Sequence, residues 1–150
     1  MTADDDATLA FWSEHRSQFR QSESQRAVLT NFVLLIAAGT SSLVVQQKFS
    51  LRTLPLSVLI VAVGLYGALA AAKYHERATH HLGQARALTQ ALVGSGDLPD
   101  HRGQLDRFRD DHYREYPRLS RIRLHWLWTG FHLAVAAYGL VFVLITALLS

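Results

Sequence analysis

Residues 53–72 read TLPLSVLIVAVGLYGALAAA and carry no charged side chain. As an α-helix this stretch extends about 30 Å, which is the thickness of the hydrocarbon core of a bilayer. Small residues fall on one face of the helix and bulky residues on the other. The small face includes Gly64, Gly67, Ala68 and Ala71, at spacings that let two helix backbones approach closely in lipid. The stretch therefore predicts a transmembrane helix that packs through these four residues.

Two further stretches, residues 27–47 and 124–150, also lack Asp, Glu, Lys and Arg. Together with residues 53–72 they make up almost half of the 150-residue chain. A soluble domain of this size does not hold so much continuous apolar sequence in its core. We therefore predict an all-α integral membrane protein with three transmembrane helices. The chain has no cysteine, which excludes disulfides and thiolate metal ligands.

The basic residues predict how the chain is oriented in the membrane. Thirteen of the 15 Lys and Arg residues lie in residues 1–26 and 73–123, whereas the connection between the first two spans holds only Lys48 and Arg52. Because the two basic segments lie on the same side of a three-span protein, the positive-inside rule places both in the cytoplasm. We expect a multi-pass protein of the plasma (inner) membrane, with its N-terminus in the cytoplasm and its C-terminus outside. The net charge of +3 gives no reason to expect nucleic-acid binding.

The two cytoplasmic segments are predicted to be helical. In residues 1–26, Trp12, His15 and Phe19 recur at helical spacing with charged residues elsewhere, which indicates an amphipathic helix. This helix either lies on the inner leaflet with its aromatic side chains among the headgroups or packs on the other cytoplasmic helices. Residues 73–123 contain two helical patterns separated by the turn sequence GSGDLP. We expect them to form an antiparallel helical hairpin outside the membrane.

The first span is the most polar of the three. One stripe of its helix contains Asn31, Leu35, Ala38, Ser42 and Gln46. Polar groups at this depth must face protein or water rather than lipid. The stripe is therefore a candidate pore lining in an oligomer, with the positions other than the leucine as its pore-lining residues. The alternative is that these polar groups hold helices together by hydrogen bonds, as Ser, Thr and Asn do in membranes.

The third span contains His132, which titrates near neutral pH and, unlike His125 at the inner edge, lies well inside the span. An ionisable group inside a membrane is a functional candidate, so His132 is a candidate intramembrane switch. The alternative is a neutral imidazole that is hydrogen-bonded to a neighbouring helix, for instance to Tyr66 or to a hydroxyl of the first span. On the same span, Gly130, Ala134 and Ala137 form a small face suited to packing.

Three arginines, Arg118, Arg121 and Arg123, lie just before the third span and are candidate contacts for lipid or another anion. Arginines at this position attract anionic headgroups, and a guanidinium also suits the phosphate of a nucleotide messenger. The positive-inside bias alone would also explain them. The histidine and acidic residues lack a recognised metal-ligand spacing, and no catalytic or nucleotide-binding motif is found. We therefore predict no enzyme activity, no metal and no cofactor.

The amphipathic sequence FWSEHRSQFRQSESQR, the hairpin of the first two spans and the helix continuing through KYHERATHH together resemble the SLATT-type small bacterial membrane effectors. The resemblance covers roughly residues 10–95 and rests on layout, so no functional residue is carried over. It implies a pore-forming or membrane-perturbing module of bacterial conflict and anti-phage systems, triggered by a nucleotide-sensing partner. The third span departs from the two-helix pattern of that family.

Taken together, the sequence and the resemblance lead to two functional hypotheses. The first is a homo-oligomeric membrane protein that acts as a pore-forming or membrane-perturbing effector or channel, gated through its cytoplasmic helices. The second is a non-conducting membrane anchor or assembly subunit that recruits a cytoplasmic partner. The expected partners are the lipid bilayer, further copies of the chain, and a cytoplasmic protein or nucleotide messenger as the trigger.

Overall fold

The computed structural model describes residues 3–96 and 99–149. The α-helices in these residues are α1 (Ala3–Gln46), α2 (Leu54–Gly94), α3 (Arg102–Glu115) and α4 (Leu124–Leu149). Short 3-10 turns, Leu51–Thr53 and Leu119–Arg121, precede α2 and α4. No strand occurs in the described residues, so the all-α prediction is confirmed.

Three of the helices, α1, α2 and α4, are long and apolar enough to cross a membrane. Of the three stretches that the sequence predicts as spans, they contain residues 27–46, 54–72 and 124–149. The predicted amphipathic helix at residues 1–26 and the predicted first span are not separate elements, because α1 runs through both without a break. The helix of the second span likewise continues well beyond residue 72, as far as Gly94.

The connection between α1 and α2 is a tight turn. Lys48 and Phe49 have φ angles of 51° and 54°, in the left-handed region that few non-glycine residues occupy. The backbone N–H of Phe49 donates to the carbonyl of Val44 over 3.1 Å, and that of Thr53 donates to the carbonyl of Ser50 over 2.8 Å. These bonds end α1 and begin the next helical segment, so the first two long helices are directly connected neighbours.

The chain divides into two compact units. The unit here called the polar unit comprises Met1–Ser22 and Glu76–Arg123. The unit here called the apolar unit comprises Glu23–His75 and Leu124–Ser150. Helices α1 and α2 each contribute residues to both units, whereas α4 belongs to the apolar unit alone.

In the apolar unit, α2 and α4 pack closely because glycines remove the side chains between them. A Cβ atom added to Gly64 would lie 2.5 Å from the backbone nitrogen of Ala136, and one added to Gly139 would lie 2.7 Å from the backbone nitrogen of Val61. Contacts at this separation are too short for any side chain larger than glycine without a shift of the backbone. The other small residues that the sequence assigns to packing on α2, including Ala68 and Ala71, are also buried.

The face of α4 that is buried is opposite to the small face that the sequence suggests for packing. The buried residues of α4 are His132, Ala136, Gly139, Phe142 and Thr146. Gly130, Ala134 and Ala137 are exposed on the single chain. Both faces of the helix contain small residues, so their positions alone do not select one. On the buried face, Gly67 of α2 leaves room for the imidazole of His132, because a Cβ atom at Gly67 would collide with the ring.

In the polar unit, the first part of α1 packs against the last part of α2. The indole Nε1 of Trp12 donates to the hydroxyl of Thr89 over 3.0 Å. The guanidinium of Arg77 donates to the side-chain oxygen of Gln18 over 3.0 Å. Ala78, Ala85 and Leu92 are buried along the same stretch of α2. The sequence leaves two positions open for the N-terminal amphipathic segment, on the inner leaflet or against the other cytoplasmic helices. In the structure this segment packs against α2.

Helix α3 buries none of its described side chains. Leu105 and Phe108, which lie on the apolar side predicted for this helix, are both exposed. A helix, a break and a second helix are therefore present as the sequence predicts, while their antiparallel arrangement as a hairpin stays a prediction. Two residues of the break, Asp97 and Leu98, lie outside the described residues.

Candidate functional site

The candidate pore-lining residues all lie on the surface of the single chain. The structure leaves Asn31, Ala38, Ser42 and Gln46 exposed along α1. The amide nitrogen of Gln46 donates to the hydroxyl of Ser42 over 3.0 Å, so two of the polar groups are bonded only to each other within the helix. Other polar residues of the apolar unit are buried between helices: Thr30, Thr40, Ser41, Ser57, His132 and Thr146. The stripe is thus a polar surface that the fold of one chain does not cover.

One edge of the stripe borders an open groove between α1 and α4. The groove has a volume of about 680 Å³. On the α1 side it is lined by Ala38, Ser42 and Gln46 among others, and on the α4 side by Ala134 and Tyr138 among others. Its walls are mostly apolar, with hydroxyl and amide groups at a few positions. Because the groove is open along its length, it is a feature of the surface of the single chain and not an enclosed packing defect.

His132 is completely buried, with a side-chain exposure of 0%. Its Nε2 atom lies 3.2 Å from the hydroxyl oxygen of Thr30. The hydroxyl of Thr30 donates its own proton to the backbone carbonyl of Arg26 over 2.9 Å, so its oxygen is left to accept from the imidazole. This pairing favours the neutral tautomer with the proton on Nε2. The Nδ1 atom then faces Gly67 and has no hydrogen-bond partner in the part of the chain that the structure describes.

Arg26 lies one helical turn before Thr30 on α1 and forms a second contact between α1 and α4. Its side chain is only 3% exposed and pairs with the carboxylate of Glu23. Its guanidinium carbon lies 5.0 Å from the centre of the Trp128 ring, within the range of a cation–π interaction. Arg26 and Thr30 on α1 therefore meet Trp128 and His132 on α4. The two pairs have the same four-residue spacing, which places each pair on one face of its helix.

The sequence offers a signal for this contact, which the predictions above do not use. In those predictions Arg26 is only one of the basic residues that set the orientation in the membrane, and Thr30 is not a candidate residue. Two pairs with i, i+4 spacing are visible in the sequence, Arg26 with Thr30 and Trp128 with His132. In each pair one residue is cationic or aromatic and the other can form a hydrogen bond. Which helix meets which cannot be read from them. The structure brings His132 to a first-span hydroxyl, and its role as a switch stays a prediction.

Two pairs of histidines connect helices, one pair in each unit. In the polar unit, the Nδ1 atoms of His15 and His81 lie 3.1 Å apart. In the apolar unit, the rings of His75 and His125 are stacked, with centroids 4.1 Å apart. Burial, and then the neighbouring His15, lower the pKa of His81 below its ordinary value of 6.5. Among the described residues, no group of three or more His, Asp or Glu side chains is arranged to hold a metal ion.

The candidate lipid or anion contacts, Arg118, Arg121 and Arg123, are all exposed. Arg118 precedes the 3-10 turn Leu119–Arg121, and Arg123 precedes the first residue of α4. Their positions just before an apolar helix are those that the sequence indicates. An anionic surface can reach them without any rearrangement of the chain.

The described residues thus contain two arrangements with functional potential, a buried polar contact between α1 and α4 and an exposed polar stripe on α1. Comparison of the chain with protein-family models, with curated proteins and with solved structures finds no match.

Proposed function

We propose that the chain is a homo-oligomeric membrane protein in which the first-span stripe lines a conduit across the bilayer. One observation carries this proposal: the structure buries the hydroxyls of Thr30, Thr40, Ser41 and Ser57 between its apolar helices but leaves Asn31, Ser42 and Gln46 exposed. Hydrocarbon offers no hydrogen bonds, so exposed amides and hydroxyls at this depth require protein or water. Further copies of the chain, arranged around a water-filled path, supply both.

The length of the stripe favours a conduit over a single point of adhesion. Asn31 lies near the inner end of the predicted first span and Gln46 near its outer end. The stripe between them is about 22 Å long at the helical rise, most of the hydrocarbon thickness. One interhelical hydrogen bond needs one polar residue, whereas a continuous aqueous path needs polar or small residues throughout. Ala38, near the middle of the stripe, meets that need by its size.

The exposed helix α3 gives a specific reason to keep the anchor hypothesis as a second candidate. Its apolar side chains Leu105 and Phe108 have no cover from the rest of the described chain. A cytoplasmic protein docked on this helix would cover them, whether or not the spans conduct. In the channel hypothesis the same contact would be the trigger, in line with the resemblance to partner-triggered membrane effectors. The two hypotheses therefore differ in whether solutes cross the membrane.

Cysteine accessibility tests whether the stripe faces water. The chain has no native cysteine, so a single introduced thiol reports on one position. Leu35 lies on the stripe and is 69% exposed on the single chain, and Leu133 on α4 is exposed at a similar predicted depth. We expect a charged, water-soluble thiosulfonate reagent to modify Leu35→Cys in liposomes and to reduce ion flux. Leu133→Cys is the matched control and should not react, because it faces lipid.

The outcomes separate the two candidates. Flux above that of empty vesicles, with modification of Leu35→Cys alone, supports the conduit. Flux equal to that of empty vesicles, with neither thiol modified in a stable oligomer, contradicts it and leaves the anchor. Partial activation by a nucleotide or a partner protein would show as an increase in the rate of modification at Leu35→Cys.

A further inference from the structure

We infer that the junction between α3 and α4, residues 116–123, binds one anionic phospholipid. The phosphate of this lipid lies between the guanidinium groups of Arg118 and Arg121, and one of its acyl chains enters a pocket at the end of α3. The inference goes beyond the proposed conduit, because it requires that α4 spans a membrane but requires neither an oligomer nor a flux of solutes.

The pocket forms where the chain turns after α3. Pro117 cannot continue the helix, since it has no backbone N–H and disfavours helical dihedral angles at the residue before it. Tyr116 accordingly has φ and ψ angles of -120° and 57°. The resulting pocket has a volume of about 460 Å³ and is lined by His112, Tyr113, Tyr116, Leu119 and Ile122. Its aromatic and aliphatic walls suit a hydrocarbon chain, and its two phenols can donate to the ester oxygens of a lipid.

The 3-10 turn Leu119–Arg121 gives the junction an arginine side and an apolar side. A 3-10 helix has three residues per turn, so side chains three positions apart lie one above the other. Arg118 has helical dihedral angles, so it shares one side of the turn with Arg121, about 6 Å away along the axis. Leu119 and Ile122 share another side, and both line the pocket. Two guanidinium groups at this separation can donate to the oxygens of one phosphate.

The charge of these two arginines is not neutralised within the described chain. On α3, aspartates pair with arginines: Arg109 with Asp106 and Asp110, and Arg114 with Asp111. Arg118 and Arg121 are exposed and form no hydrogen bond or ion pair with any residue that the structure describes. The sequence contains no Asp or Glu after residue 115. The positive charge of the junction is therefore available to an anionic headgroup.

The length of the chain keeps the junction close to the membrane surface. The predicted third span begins at residue 124, and Ile122 lies two residues before it, so the two Cα atoms are within about 7 Å of each other. The headgroup layer on each side of a bilayer is about 5–8 Å thick. Ile122 and Arg123 are therefore expected within this layer, and the Cα atom of Arg121 is at most about 11 Å from the start of the span. The lipid phosphates are within reach of its side chain.

A soluble nucleotide offers the same phosphate chemistry, and its base could stack on a tyrosine. Two features of the junction favour a lipid. Leu119 and Ile122 give the pocket aliphatic groups that offer a base no hydrogen bond. The headgroup layer also presents many lipid phosphates directly beside the arginines, whereas a nucleotide must be bound from dilute solution.

Lipid binding to the full chain in a nonionic detergent, counted by native mass spectrometry, tests the site. We expect one molecule of dioleoylphosphatidylglycerol per subunit to bind tightly, and dioleoylphosphatidylcholine, which has no net charge, to bind less tightly. The double variant Arg118→Gln/Arg121→Gln should lower the affinity for phosphatidylglycerol about thirtyfold, since each arginine near an anionic headgroup contributes about fivefold.

A second double variant controls for the loss of charge. Arg86→Gln/Arg107→Gln removes the same charge at exposed positions of the polar unit outside the junction, and should change the affinity little. All four arginines are exposed, so the variants should keep the helical fold, which far-ultraviolet circular dichroism checks. An equal loss in the two double variants, or equal affinity of the wild-type chain for the two lipids, overturns the site.

The pocket has a test of its own. Leu119 is 65% exposed on the single chain and Leu105, on α3 outside the pocket, is 64% exposed, so the two leucines form a matched pair. Leu119→Ser should weaken the binding of phosphatidylglycerol about tenfold, because the acyl chain loses an apolar contact. Leu105→Ser should leave the affinity unchanged. Equal affinities of the two variants would contradict the entry of an acyl chain into the pocket.

Soluble phosphate esters distinguish a lipid from a nucleotide as the ligand. ATP and glycerol phosphate are added in excess to the complex with phosphatidylglycerol. We expect neither to displace the lipid, because neither carries a hydrocarbon chain that fills the pocket. Displacement by ATP would overturn the assignment to lipid in favour of a nucleotide.

The binding assay and the flux assay separate this inference from the proposed function. A chain that conducts in liposomes but binds the two lipids equally overturns the lipid site and leaves the conduit. A chain that binds phosphatidylglycerol as expected, but gives a flux equal to that of empty vesicles, supports the lipid site and contradicts the conduit.

Discussion

Thr30 and His132 join α1 to α4 through a hydrogen bond of 3.2 Å between a hydroxyl and an imidazole, both buried between apolar helices. The imidazole fits because Gly67 of α2 leaves a space beside it. All three helices of the apolar unit therefore meet at one histidine. This hydrogen bond specifies the register of α1 against α4, because only one register brings the two groups together. Apolar contacts between two helices do not specify a register in this way.

Removing the hydroxyl of Thr30 tests that contact. Thr30→Val keeps the shape of the side chain but leaves the Nε2–H of His132 without an acceptor, so we expect the free energy of unfolding to fall by about 1 kcal/mol. The melting temperature in detergent, followed by circular dichroism, gives the measurement. Thr40→Val makes the same change at another buried threonine of α1, about 15 Å from Thr30 along the helix. Equal losses in the two variants would contradict a specific role for the Thr30 hydroxyl.

The close approach of α2 and α4 predicts a large effect at Gly64. A Cβ atom there would lie 2.5 Å from the backbone nitrogen of Ala136, so Gly64→Ala must push two helices apart. We expect a loss of about 1–3 kcal/mol, as for other overpacked sites. Gly83→Ala on the same helix adds the same methyl group where no atom lies within 4 Å, and should leave the melting temperature unchanged or slightly higher. A tolerated Gly64→Ala would show that the two helices are further apart than described.

The side chain of Arg26 is expected to be sensitive to a change that keeps its charge. Arg26→Lys loses the planar group that stacks on Trp128 and reaches Glu23, so we expect a loss of stability of about 1 kcal/mol. Arg20→Lys, at an exposed position of the same helix, is the matched control and should change little. Chemical denaturation in a mild detergent compares the two. If the Arg26→Lys variant is as stable as the Arg20→Lys variant, the contacts of the Arg26 guanidinium with Trp128 and Glu23 do not contribute to stability.

The histidine pair of the polar unit is expected to make the packing of α1 on α2 dependent on pH. The pKa of His81 is lowered, so the unfolded chain binds a proton more readily than the folded chain. The contact is therefore fully stable above pH 6.5 and weakens as the pH falls through 6.5 towards the lowered pKa. His15, His80 and Arg77 add positive charge around the group, and Glu14 opposes them only partly.

Hydrogen exchange of residues 8–22, corrected for the intrinsic rate, measures this dependence. We expect lower protection below pH 6.5 than above it. The His81→Gln variant keeps a polar side chain without a titration in this range, and its protection should vary less with pH. The same loss of protection in wild type and variant would assign the effect to other groups.

Parts of this fold can be read from single stretches of sequence and parts cannot. The three apolar stretches lack charge over lengths that match a bilayer, so the number and positions of the long helices follow from residues close together in the chain. The spacing of Gly64, Gly67, Ala68 and Ala71 likewise identifies a packing face on α2. Its partner is not specified, because α4 offers small residues on two opposite faces.

Contacts between distant residues are the part that local patterns leave open. Trp12 meets Thr89 and His15 meets His81 across more than sixty residues, and no spacing within either segment specifies the other. The continuity of α1 across residue 26 was also not expected, because the change from polar to apolar sequence suggests a boundary where the backbone has none. The exposure of the α1 stripe follows from which faces the other helices cover. The stripe itself is visible in the sequence.

The mass of the particle in nanodiscs, determined by native mass spectrometry, tests the central claim most directly. A conduit lined by the α1 stripe requires a discrete oligomer larger than a dimer, and we expect one assembly state to dominate because a closed ring has a fixed number of subunits. A monomer or a dimer would contradict the claim, because too few helices would then be present to surround a path through the bilayer.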